Sequence, residues 1–102
     1  MIIFNTTFHA DDDVNTTFLH FIKESYISTA ASSGFLFNPR LSLIHRQHEE
    51  GGVSYSLQFC VKNIDTLNHW LSSEGKDLQQ QLTKRFGNKV MGFVTLLEEI
   101  EL

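Results

Sequence analysis

Apolar and polar residues alternate most strictly between Val53 and Lys62. Val53, Tyr55, Leu57, Phe59 and Val61 share one face, and Ser54, Ser56, Gln58, Cys60 and Lys62 share the other. A period of two is that of a β-strand, and a strand with one oily face needs an apolar layer over it. The same alternation at the start of the chain sets Ile2, Phe4, Thr6 and Phe8 against Ile3, Asn5, Thr7 and His9 and predicts a first strand. Beyond Pro39, Leu41, Leu43 and His45 oppose Ser42, Ile44 and Arg46, which predicts another strand, at a sheet edge because proline cannot donate to a ladder. Residues 47–52, ending in Gly51 and Gly52, read as the turn of an antiparallel hairpin into the 53–62 strand. From Met91 to Leu102 both phases are apolar at the centre, Phe93 and Leu97 on one and Val94 and Leu96 on the other. That last strand is expected to be buried on both faces.

Two stretches have the helical period instead. Val14, Phe18, Phe21, Ile22 and Ser25, flanked by Leu19 and Tyr26, predict an amphipathic helix over 14–33 that stops at Gly34. Asp11, Asp12 and Asp13 precede it, and an N-cap with favourable helix-dipole partners explains them better than a metal site does. Asn63 is the expected cap of a second helix, in which Leu67, Trp70, Leu71, Leu78, Leu82 and Phe86 form the buried stripe. Ser72, Ser73, Glu74 and Gly75 predict a kink or break within it, and Gly87 ends it. The order strand, helix, strand, strand, helix, strand is the split βαβ pattern. It predicts a ferredoxin-like α+β domain spanning 1–102, strand order 4-1-3-2, with both helices on one face of an antiparallel sheet. The other face then needs a cover, and a second copy of the same sheet supplies one, giving a homodimeric α/β barrel.

Composition narrows the partners. The chain has 102 residues, a net charge of −4 and only eight Lys and Arg, scattered along it. No basic stripe follows a phosphate backbone, so nucleic acid is not an expected partner. No apolar run approaches the roughly 20 residues of a membrane span, and Met1 to Phe4 is too short for a signal-peptide core. With one cysteine, Cys60, the expected home is the reducing cytoplasm.

No motif identifies a reaction. His45, His48, Glu49 and Glu50 are the densest set of potential metal ligands, but a solvated turn accounts for them, and no metal or other cofactor is expected. Cys60 has only Lys62 nearby on its face, so an inert packed thiol is the expectation.

Three stretches, residues 2–8, 47–59 and 92–99, resemble a family of short bacterial domains of unknown function. That resemblance implies a dimeric ferredoxin-like fold and no activity. A weaker one, resting on Asn5 in the first strand and Trp70 in the second helix, is to antibiotic-biosynthesis-monooxygenase-type domains and their haem-degrading members. It implies a cleft between helix and sheet. Gln80 stands where the haem degraders have their axial histidine, so haem binding of that kind is not expected. Asn5 and Trp70, with Tyr26 and Tyr55 as aromatics able to place hydroxyls in the same cleft, are the candidate ligand-binding residues. The function they imply is a homodimeric domain that binds a small apolar ligand or another protein, with a small oxygenase acting on an apolar or aromatic substrate as the alternative. Trp70 as plain core packing is the competing explanation.

Overall fold

The computed structural model describes residues 1–45 and 51–102. Four strands, β1 (Ile2–Ala10), β2 (Leu36–Leu43), β3 (Val53–Val61) and β4 (Val90–Glu98), form one antiparallel sheet in the order β2-β3-β1-β4. This is the expected 4-1-3-2 order read from the other edge. Most of the turn expected between β2 and β3 lies outside the described residues, as do His48, Glu49 and Glu50.

Register follows the alternation. Phe4 lies opposite Phe59 and Leu96, and Phe8 opposite Tyr55 and Gly92, so β1, β3 and β4 have their core-side residues in phase. Phe4, Phe8, Leu57, Phe59 and Val61 are buried under the helices. The opposite phase, Ile3, Asn5, Thr7 and His9 on β1 with Ser54, Ser56, Gln58 and Cys60 on β3, forms the helix-free face.

β2 begins earlier than its sequence suggested, because it accommodates Pro39 in a bulge. Phe37 pairs with Cys60 and Arg40 with Gln58, so the edge strand has one residue too many between them, with Asn38 at φ 52°. A bulge on an edge strand is where a residue lacking an N–H and one in the left-handed region can both be placed.

The first helical region is α1 (Asn15–Phe21), a π-helical segment (Ile22–Tyr26) and α2 (Ile27–Ser32). Phe18, Ile22, Tyr26 and Ala30 are all buried. Four residues overshoot one α-helical turn by about 40°, so a spacing of four would carry these side chains progressively off the core. The wider turn in the middle removes part of that drift, and it seats Tyr26 rather than Ser25 in the core.

The acidic run does not cap this helix: residue Val14 occupies the cap position and no side chain caps it. Asp12 accepts a hydrogen bond from the Gly52 N–H, and Asp13 pairs with Lys89. The carboxylates tie the helix entry to β3 and to the start of β4. This pairing lowers the Asp13 pKa and raises that of Lys89.

Asn63 does cap α3 (Ile64–Ser72), accepting from the Thr66 N–H at 2.8 Å. The expected break falls at Ser73, before α4 (Glu74–Phe86), which ends at Gly87 with φ 57°. A short 3-10 turn (Gly87–Lys89) leads into β4. Rings interlock the layers: Phe18 meets Phe8 at 5.3 Å and Phe86 at 5.7 Å, and Trp70 meets Phe4 edge-on at 5.9 Å.

β4 departs from expectation. Only Val90 is buried, and Phe93 and Val94, on opposite faces, are 62% and 57% exposed. The strand lies at the sheet edge, where α4 covers it only in part, so most of its apolar residues stay exposed within this chain. The strand also stops at Glu98, short of the expected Leu102.

Candidate functional site

The break after Ser72 lets Trp70 turn its indole onto the first turn of α4. A Cβ at Gly75 would lie 2.6 Å from the Trp70 ring, so glycine is what allows this approach. The ring, 1% exposed, closes over Phe4, and beside it a groove of about 330 Å³ runs between the helices and β4. Phe4, Trp70, Leu71 and Val94 make the apolar walls, Tyr26 and Thr6 bring hydroxyls, and Lys76, Gln79 and Gln80 stand along α4.

Several polar groups of the lining residues lack protein partners among the described residues. The Trp70 Nε1–H is buried without a hydrogen-bond acceptor among the described residues. Tyr26 is buried, and burial raises its hydroxyl pKa to about 12, so the phenol stays neutral at physiological pH. Among the described residues, neither the Tyr26 nor the Thr6 hydroxyl has a hydrogen-bond partner. Apolar walls with a small number of available polar groups are the usual make-up of a small-molecule site.

Of the four candidate residues, the groove brings together Trp70 and Tyr26 alone. Asn5 is on the helix-free face, where its side-chain amide donates to Thr7 Oγ1 at 3.2 Å and its carbonyl accepts from Ser56 Oγ at 2.5 Å. The period of two that buries Phe4 against Trp70 necessarily turns Asn5 to the opposite side of the sheet. The Tyr55 hydroxyl donates to Asn15 Oδ1 at 2.7 Å, which spends it on anchoring α1. Gln80 lines the groove, and no described histidine does: His69 packs edge-on against Phe35, and His9 bonds Ser54 on the helix-free face. Thr6 and Lys76 were missed from the sequence. Thr6 could have been found as the one polar residue in the buried phase of β1, between Phe4 and Phe8.

A larger depression of about 580 Å³ lies on the helix-free face over the β2 bulge, with Arg40, Gln58, Cys60 and Glu99 among its lining. No cluster of three His, Cys, Asp or Glu residues suited to a metal occurs among the described residues. Nor is any helix among them long and apolar enough to cross a membrane.

The sheet order and helix placement define a βαββαβ ferredoxin-like fold. The family model for a domain of unknown function, DUF4286, matches residues 1–100, and the chain belongs to that family. No curated protein matches it. Solved structures resemble it in fold at low identity. An EthD-family protein from Bacillus halodurans is 13% identical, with a TM-score of 0.72 over 98% of this chain and 100% of that one. An antibiotic-biosynthesis-monooxygenase-type protein from Deinococcus radiodurans is 14% identical, with a TM-score of 0.67 over 100% and 95%. A dimeric ferredoxin-like protein from an uncultured marine organism is 13% identical, with a TM-score of 0.62 over 100% and 99%.

Proposed function

We propose that this chain is a homodimeric ligand-binding domain: two copies join through their helix-free sheet faces, and the groove beside Trp70 in each binds a small apolar molecule. The observation that carries the reading is the groove itself, a concavity walled by Phe4, Trp70 and Val94 with polar groups left unspent. Its volume lies near the lower end of the roughly 300 to 1,000 Å³ usual for such sites, which favours a compact ligand.

The dimer has separate support. Four strands of eight or nine residues cover roughly 19 by 30 Å, or about 600 Å² before side-chain relief is added. A stable interface takes about 800 Å² from each partner, which a face of this size approaches. The polar centre of the face is hydrogen-bonded within itself, through Asn5 with Thr7 and Ser56 and His9 with Ser54, and Ile3, Phe93 and Leu97 surround it. A second sheet can therefore cover it without stripping these groups of their partners. The marine ferredoxin-like relative is itself dimeric.

Thermal shift tests the groove, since a ligand of the native state raises the melting temperature. A panel of small apolar compounds that leaves it unmoved would count against the site. Sedimentation equilibrium tests the dimer, and a monomer at about tens of micromolar would end that part of the proposal. The second reading is an oxygenase working in the same groove on an apolar or aromatic substrate. The likeness of fold to the Deinococcus protein favours it. Asn5, on the far side of the sheet, takes no part in it.

A further inference from the structure

We infer that two copies of the chain meet with each β4 laid over the partner's β2 and β3, so that Glu99 of one subunit faces the Lys62 and Arg40 corner of the other, and the reverse. This rests on the homodimer proposed above and fixes its arrangement. Strand phase puts the three side chains on the helix-free face: Arg40 lies opposite Gln58, Lys62 follows Cys60 by two residues, and Glu99 follows Leu97 by two, its N–H bonded to the Met1 carbonyl. All three are exposed, and none has an ion-pair partner among the described residues. They also belong to opposite edges of the sheet. β2 and β4 are three strand spacings apart, ~14 Å, which keeps Arg40 and Glu99 from meeting within one chain.

Aligned packing of two sheets leaves two directions for the two-fold axis, across the strands or along them. An axis across the strands lays β2 over β2 and β4 over β4, which matches no opposite charges. An axis along them exchanges the edges and keeps the ends. Val61 and Glu98 both pair with Ile2, so Lys62 and Glu99 are level along the strands, and this axis brings Glu99 over the basic end of β3 and its neighbour β2. Each copy has a net charge of −4, and a contact that sets carboxylate against ammonium and guanidinium offsets that repulsion. The relief of the face fits the same axis. The bulge at Asn38 and Pro39 leaves the 580 Å³ depression at the β2 side, while on β4 Phe93 and Leu97 stand 62% and 42% exposed. The apolar ridge of each copy then lies over the β2 side of the other.

The experiment reverses one corner at a time, in a doubly substituted Arg40→Glu, Lys62→Glu protein and in Glu99→Lys, each checked for native melting. Symmetry repeats every change at both ends of the interface, so each variant alone should self-associate about tenfold more weakly than wild type, or worse. Mixed in equal amounts, the two variants should form a heterodimer at about wild-type affinity. In it the new glutamates face the new lysine, and the second contact keeps its native charges. Sedimentation equilibrium measures the affinities, and native mass spectrometry distinguishes the heterodimer by mass. Variants that self-associate as tightly as wild type, or a mixture that associates no better than its components, would overturn this arrangement and leave the homodimer intact. A wild type that is monomeric at about tens of micromolar would overturn the homodimer and this inference with it.

Discussion

The two faces of the sheet are made from the same strands and have opposite economies. On the helix side of β1 and β3, Phe4, Phe8, Leu57 and Phe59 are sealed under aromatic rings. On the other side, Asn5 bonds Thr7 and Ser56, His9 bonds Ser54, and apolar residues lie only around them. One face holds the chain together by burial, and the other carries a polar centre bonded within itself. β4 contributes to both, Val94 and Leu96 on the helix side and Phe93 and Leu97 on the other, and all four stay exposed.

The sharpest way to break the comparison is at the indole that ties helix to sheet. Trp70→Ala should destabilise the protein by roughly 3 to 5 kcal/mol in denaturant unfolding, the usual loss for a large buried aromatic. A loss below about 1 kcal/mol would mean that the ring is groove wall and not core.

Next comes the phenol under the same helices. Burial raises the Tyr26 pKa from 10.0 to about 12, so the folded state holds its proton where the unfolded chain has lost it. Stability is unaffected below pH 10 and falls as pH rises from 10 toward 12. The full loss is about 3 kcal/mol at one shifted unit per 1.36 kcal/mol, an order-of-magnitude figure. Chemical unfolding of the wild type and of Tyr26→Phe across that range checks it, the phenylalanine variant lacking this part of the slope.

Gly75→Ala tests the same contact from the backbone side. Alanine favours helix, but its methyl would meet the Trp70 ring at 2.6 Å, closer than packed carbons come. Overpacking should win, with a net cost of about 1 to 3 kcal/mol and a changed indole emission. A stabilised variant would show that the ring can move aside freely.

These residues also mark what could be read in advance. Strict alternation in β1 and β3 and the weak helical stretch from Ser72 to Gly75 made strand order, helix layer and break legible. The assembly of the site was less so. Asn5 and Trp70 look like partners when only their elements are considered, but strand phase separates them by the thickness of the sheet. The π-helical segment left no mark in the α-helical period, and its effect, Tyr26 in place of Ser25, appears only once the helix is packed. Asp11, Asp12 and Asp13 made a plausible cap, yet two of the three found distant partners in Gly52 and Lys89. For β4, two apolar phases predicted burial on both faces, whereas the strand is largely exposed, because the reach of the helix layer over a sheet edge is not written in that strand.

The smallest effect on the single chain should come from Phe93→Lys on the helix-free face. Phe93 is 62% exposed, so within one protomer a lysine there loses little burial, and stability at dilution should stay within about 0.5 kcal/mol of wild type. In the proposed dimer the same lysine, opposite Thr7 on β1, would be pressed into a second sheet with no carboxylate among the Asn5, Thr7, Ser54 and Ser56 centre. Desolvating an unpaired ammonium there should abolish association. Sedimentation equilibrium on both proteins separates the two roles: a dimer that becomes a monomer of unchanged fold assigns this face to assembly. A variant that still dimerises places the interface elsewhere, and β4's free edge would then be the first surface to examine.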